Sequence, residues 1–91
     1  MRVSVKIVVS GRVQGVSFRA TLREKAMHHG VDGWVRNTTD GSVEALLQGE
    51  EPAVRKVVDW ARRGPPSASV SALVEKRLDS HPNRAGFTIL S

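Results

Sequence analysis

The chain contains no cysteine, which removes disulfides, zinc–thiolate sites and a cysteine nucleophile together. No apolar run is long enough to cross a bilayer. The sequence enters an alternating pattern at Val3 without the apolar core of a secretory signal, so a cytoplasmic protein without membrane association is expected. Acidic side chains are also few: nine Asp and Glu face fourteen Lys and Arg, a net charge of +5. Such a balance favours anionic partners, from nucleic acid to a small phosphorylated molecule, without choosing among them. No pair of carboxylates is placed to hold Mg²⁺, because Asp32 and Asp40 fit turn roles. His28, His29 and His81 read as surface residues. Neither a metal nor a cofactor is expected.

What is present is enough for one domain, residues 1–91, with one modest core. Val3, Val5, Ile7 and Val9 alternate with polar residues as in a half-buried strand, and Val8 suggests a central one with cover on both faces. Gly11 to Gly15 reads as a tight loop. Ser17 stands where it can cap a helix whose inner stripe is Phe18, Leu22 and Ala26 and which stops at Gly30. Val31 to Asn37 forms a second strand, Thr38 to Gly41 a turn, and Val43, Ala45 and Leu47 the inner face of a third strand. Glu50-Glu51-Pro52 opens a second helix with the stripe Val54, Val57, Val58 and Ala61, closed by Gly64-Pro65-Pro66. Ala68, Val70, Ala72 and Val74 alternate as a fourth strand. A polar loop from Asp79 to Gly86 leads to a short last strand at Phe87 and Ile89. The order predicts an α+β, ferredoxin-like split βαββαβ sandwich: an antiparallel sheet, two helices on one face and a short C-terminal strand.

Chemistry concentrates in Gly11-Arg12-Val13-Gln14-Gly15-Val16-Ser17-Phe18-Arg19. This segment joins a strand end to the first turn of a helix. Its glycines let successive N–H groups turn into one concavity, and the helix start adds unpaired donors and the positive end of the dipole. Arg19 supplies a planar fork matched to phosphate oxygens. The segment is not a Walker loop, since the lysine and the Mg-binding hydroxyl are missing, nor a dinucleotide fingerprint.

Asn37 shares a strand face with Gly33 and Val35, just before the turn. Taken alone it reads as a turn-capping residue. The topology expected here, with the strand of Asn37 beside the first strand, brings it near the glycine loop. With no nucleophile, general acid or metal, such a site offers phosphate binding and an oriented water. That suffices only for a leaving group that departs unprotonated. A carboxylate does so, its conjugate acid having a pKa of roughly 4 to 5. Phosphoryl transfer through a loose transition state needs mainly positioning and charge stabilisation. The inventory therefore favours an acyl phosphate over a phosphate monoester.

Residues Gly11 to Arg19 resemble the first signature of the acylphosphatase family, and Gly33-Trp34-Val35-Arg36-Asn37-Thr38-Thr39-Asp40-Gly41-Ser42-Val43-Glu44 resembles the second. Gln48-Gly49 and Gly64-Pro65-Pro66 fall where that family has them, so the likeness covers essentially the whole chain. It implies a stand-alone acylphosphatase that cleaves carboxyl-phosphate anhydrides without metal or cofactor. By the same resemblance, Arg19 is the catalytic arginine and Asn37 the catalytic asparagine. The backbone amides of Gln14, Gly15, Val16, Ser17, Phe18 and Arg19 form the phosphate cradle, and Thr38 and Ser42 support the asparagine from behind.

The expected partner is thus a small acyl phosphate, with inorganic phosphate as product and competitive inhibitor, and the expected oligomeric state is a monomer. Two alternatives stay open on the sequence. One is a basic ferredoxin-like RNA-binding module, although the only aromatics are Phe18, Trp34, Trp60 and Phe87, without the aromatic-rich strand on which such modules stack bases. The other is a non-catalytic phosphate-binding domain.

Overall fold

The structure is a computed structural model that describes residues 1–79 and 85–90. His81 and most of the Asp79–Gly86 loop lie outside the described residues. The elements follow in the order β1 (Arg2–Arg12), α1 (Phe18–His28), β2 (Asp32–Asn37), β3 (Val43–Glu50), α2 (Glu51–Ala61), β4 (Ser69–Arg77) and β5 (Phe87–Ile89). They build one five-stranded sheet of order β4-β1-β3-β2-β5. Alternate residues of β1 and β3 (Val3, Val5, Ile7, Val9; Val43, Ala45, Leu47) are buried with Leu22 and Ala26 of α1 and Val54, Val57, Val58 and Ala61 of α2 in one hydrophobic cluster. Both helices therefore cover the same sheet face. Phe18, fully buried, packs its ring on Trp60 at 5.4 Å between centroids. Burying a ring of this size contributes about 2–3 kcal/mol.

Four expectations need correction. The strand of Asn37 is not beside β1: β3 lies between them and is antiparallel to both. The crossover through α1 leaves a one-strand gap, and the tight hairpin after Asn37 returns β3 into it. The C-terminal strand pairs with β2 in parallel, so the sheet is mixed and not wholly antiparallel. β1 does not end before Gly11, because Gly11 and Arg12 still pair with β4, opposite Val70 and Ser69. A side chain at Gly11, whose φ is 118°, would place its Cβ 2.3 Å from the Ser69 carbonyl oxygen. Finally, the alternation expected in β4 breaks. Ser10 opposes Ala72 while Gly11 opposes Val70, so Ser71 is an extra residue and the inward parity flips across it. Val70 and Leu73 pack on the core, and Val74 is left exposed on the open face.

The inward turn of β4 brings Glu75 to α2, where Arg55 binds it through Nη1 and Nη2 and Arg62 approaches to 3.6 Å. The Arg55 hydrogen bond holds the Glu75 carboxyl below the ordinary carboxylate range; partial burial opposes this, and the charges of Arg55, Arg62 and Arg77 add to it. A carboxyl with a depressed folded-state pKa stabilises fully above its unfolded pKa and loses that contribution as pH falls through the folded value. Glu75→Gln should therefore melt below the parent protein at neutral pH. The difference amounts to at most about 1 kcal/mol for so solvent-accessible a pair. Thermal melts taken down through the carboxylate range should converge; a gap that persists unchanged in acid would show that the ion pair is not its source.

Candidate active site

The parallel run of β1 and β2, across antiparallel β3, brings the ends of β1 and β2 and the start of β3 to one edge of the sheet. The loop from Val13 to Ser17 spans from there to α1. Val13, Val16 and Phe18 are buried while Gly15 and Ser17 are exposed, so side chains sink into the core and leave the intervening backbone outside. Gly15 has φ 72° and Ser17 φ 64°, with negative φ at the residues between and beside them. Alternating φ signs turn successive N–H groups to the same side, the geometry of an anion nest.

Among the described residues, nothing accepts a hydrogen bond from the backbone N–H groups of residues 14–19. The helix that follows carries no acidic residue in its first turn, so its positive end is uncompensated. Ser17 occupies the N-cap position, yet its side chain makes no capping hydrogen bond, contrary to the sequence reading. A capping hydroxyl needs an extended backbone. Left-handed Ser17 instead offers its carbonyl to Thr21, which donates from N at 3.1 Å and from Oγ1 at 2.8 Å.

A cavity of about 170 Å³ opens over this loop, lined by Val13, Gly15, Ser17, Phe18, Arg19, Ala20 and Ile89. Arg19 is half-buried and has no hydrogen-bond or ion-pair partner among the described residues. Arg2, Arg36, Arg55, Arg62 and Arg77, by contrast, each meet a carboxylate. Asn37 is not part of the cavity lining. It ends β2, two residues beyond Val35, whose partner in β5 is the lining residue Ile89. The Asn37 Oδ1 is buried and has no hydrogen-bond partner among the described residues.

Thr38 and Ser42 build the turn after Asn37. The Ser42 N–H donates to Thr38 Oγ1 at 3.1 Å and to Asp40 Oδ1 at 3.2 Å, the Thr38 hydroxyl bonds Asp40, and Thr38 N donates to the Ser42 carbonyl at 2.9 Å. The hydrogen bonds from Thr38 and Ser42 hold the Asp40 carboxyl below its ordinary range. Among the described residues, neither Thr38 nor Ser42 bonds the Asn37 side chain; their bonds close the turn that follows it. Asp32, expected in a turn, begins β2, pairing with Arg2 at 3.2 Å and accepting from Gly86 N at 2.9 Å. No cluster of three or more His, Asp or Glu able to hold a metal occurs among the described residues.

Two participants escaped the sequence reading. Ile89 lines the cavity, brought there by β5, which Arg23 Nε also holds through the Phe87 carbonyl at 3.1 Å. The Gln14 side chain crosses from the loop to the β2–β3 turn, donating to the carbonyls of Thr38 (2.9 Å) and Ser42 (2.8 Å). Both depend on pairing across the sheet, which no local motif announces.

A family model described as Acylphosphatase matches residues 5–89. An acylphosphatase of Pelotomaculum thermopropionicum is 44% identical over 88 residues, 97% of this chain and 96% of that protein. One of Nitrosococcus oceani is 59% identical over 66 residues, 72% of this chain and 74% of that protein. Among solved structures, the acylphosphatase of Bacillus subtilis superposes with a TM-score of 0.94 at 34% identity, covering all of both chains.

The left-handed backbone at Ser17 yields a prediction. A residue with a Cβ is disfavoured there by about 1–2 kcal/mol, more for a β-branched one. Ser17→Gly should keep or raise the melting temperature and retain inorganic phosphate binding, whereas Ser17→Val should lower it. Loss of phosphate binding in a folded Ser17→Gly protein would mean that the hydroxyl, and not the backbone, makes the site.

Proposed function

The chain belongs to the acylphosphatase family and hydrolyses acyl phosphates, and we propose that it does so without a metal, with Arg19 clamping the phosphoryl group and Asn37 holding the attacking water. One observation carries this reading: a half-buried guanidinium and the loop of residues 14–19, of which Gly15, Ser17, Phe18 and Arg19 line the cavity, offer donors with no partner among the described residues. A phosphate dianion matches both, through a two-pronged contact with arginine and through main-chain donors at a helix start.

The proposed reaction is R–CO–O–PO₃²⁻ + H₂O → R–COO⁻ + H₂PO₄⁻. A water donating a hydrogen bond to Asn37 Oδ1, which has no other partner, turns a lone pair toward phosphorus. The P–O bond to the acyl oxygen breaks, its electrons leave with the carboxylate, and the water's protons end on phosphate. No general acid is required, because the departing carboxylate is a weak base. Arg19 and the cradle amides meet the charge on the equatorial oxygens, where preorganised donors act most strongly. The acyl part faces Ile89 and Val13, which supply apolar surface and no charge.

The RNA-binding alternative is not favoured. Phe18 and Phe87 are buried and Trp60 packs on Phe18, which leaves Trp34 as the one aromatic on the open sheet face, partly covered by Arg36 at 5.8 Å. The proposal further takes the protein as a single-domain cytoplasmic monomer, with inorganic phosphate a competitive inhibitor. Sedimentation and cell fractionation test the first two points, and steady-state inhibition the last.

Excess chelator should leave acetyl phosphate hydrolysis unchanged, and simple alkyl phosphates should react poorly. Activity lost with chelator and restored by Mg²⁺ would overturn the metal-free mechanism. The two side chains should differ in kinetic signature. Arg19→Ala should raise KM, lower kcat and abolish the rise in melting temperature with phosphate, and Arg19→Lys should not restore the parent rate. A folded Asn37→Ala protein should lose on the order of 10²–10³ in kcat at nearly constant KM. Near-normal kcat in that variant would return Asn37 to a turn-capping role.

A further inference from the structure

The Gln14 side chain lies in the cradle segment by sequence and in the β2–β3 turn by its contacts. Both Nε2 hydrogens are committed, one to the Thr38 carbonyl at 2.9 Å and one to the Ser42 carbonyl at 2.8 Å. The amide can sit only this way round, since a flipped group would set its oxygen against two carbonyl oxygens. These bonds span 24 and 28 residues of chain. Thr38 directly follows Asn37 and its carbonyl belongs to the Thr38–Thr39 peptide, so the first bond holds the chain one peptide beyond that residue.

The two carbonyls do not need Gln14 to be satisfied. Thr38 O also accepts from Gly41 N at 3.3 Å, and Ser42 O accepts from Thr38 N at 2.9 Å and from Thr38 Oγ1 at 3.2 Å. The turn closes by its own bonds, with Ser10 Oγ and Ser42 Oγ in further contact at 3.4 Å. What Gln14 adds is a rigid link between two bodies: the loop that carries the N–H donors and the strand end that carries Asn37.

We infer that Gln14 is a positioning residue, whose carboxamide fixes the distance between the phosphate-binding loop and the water held by Asn37. The inference rests on the water-holding reading of Asn37. Gln14 touches neither substrate nor water in this account; it acts through Asn37. Its backbone N–H remains part of the cradle whatever its side chain. A small misplacement of reacting groups by a change outside the chemistry can cost up to about 10²-fold in rate.

The test is a double-mutant cycle on the full chain with acetyl phosphate as substrate and inorganic phosphate as probe of the cradle. Gln14→Met keeps the length and removes both donors; Gln14→Ala serves as a second variant. Each should be folded, bind phosphate with an inhibition constant within about twofold of the parent, and lose roughly 10- to 100-fold in kcat. In the Asn37→Ala background, Gln14→Met should change kcat by less than about twofold, because the group it positions is gone. Equal losses in both backgrounds overturn the inference, as does unchanged kcat in the single variant. So does a phosphate inhibition constant that rises in step with the fall in kcat, which would make the side chain part of anion binding. If both Gln14 variants are unfolded at every phosphate concentration, the side chain is structural and the inference falls. Asn37→Ala alone separates the two readings. A large loss there with an additive double variant overturns only the role of Gln14, whereas no loss there overturns the water-holding reading and Gln14 with it.

Discussion

A run of backbone N–H groups without carbonyl acceptors among the described residues, from Gln14 to Arg19, is the constraint to which the surrounding structure answers. Donors left free for a ligand cannot be held by the ladder bonds that fix a strand or a helix interior. The loop is held by everything else. Val13, Val16 and Phe18 sink their side chains into the core, Ser67 Oγ donates to the Val16 carbonyl at 3.0 Å, and the Gln14 carboxamide is bonded to the neighbouring turn. Carbonyls and side chains are anchored while the N–H groups stay outward. The positive φ of Ser17 is a local strain consistent with that arrangement, of a kind that persists where surrounding packing over-determines it.

The sheet order determines which second group can reach this loop. Because α1 carries the chain over one vacant strand position, β1 and β2 run parallel and finish at the same edge, with β3 beginning there between them. Three segment ends thus meet without any long excursion of the chain. Asn37 belongs to the face that packs toward the helices, in line with buried Val35, which accounts for the burial of its Oδ1.

Much of this was legible in the sequence, and the failures have particular causes. The element order, the core stripes on both helices and the clustering of chemistry between Gly11 and Arg19 follow from periodicity and from residue type. The β4 alternation failed because Ser71 is an extra residue against Gly11, and a bulge reverses parity without leaving a mark in composition. Ser17 reads as a capping side chain because serine at a helix start usually is one, yet it makes no cap hydrogen bond. Its left-handed backbone is imposed by the loop and not by the residue. Gln14 and Ile89 were missed as side chains for a common reason: each acts across the sheet, on a partner remote in sequence, and no local spacing encodes such a contact.

The charge distribution around the cavity suits the clamp role proposed for Arg19, the arginine that lines it among the described residues. Among the described residues, five guanidinium groups meet carboxylates away from the cavity: Arg2 with Asp32, Arg36 with Glu44, Arg55 and Arg62 with the shared Glu75, and Arg77 with Glu51. Burial opposes ionisation of Glu44, but the hydrogen bonds and charges of Arg36 and Lys6 outweigh it and hold its carboxyl below the ordinary range. Asp40, the acid closest in sequence to the candidate site, has its carboxylate engaged by Thr38 and Ser42 within the turn. Among the described residues, no acidic one lines the cavity. An anion entering there meets a guanidinium and main-chain donors without first displacing a carboxylate, and partial burial lowers the screening between them. The absence of acidic groups from the described lining matches the proposed chemistry, in which the leaving group departs as a stable anion without a proton donor.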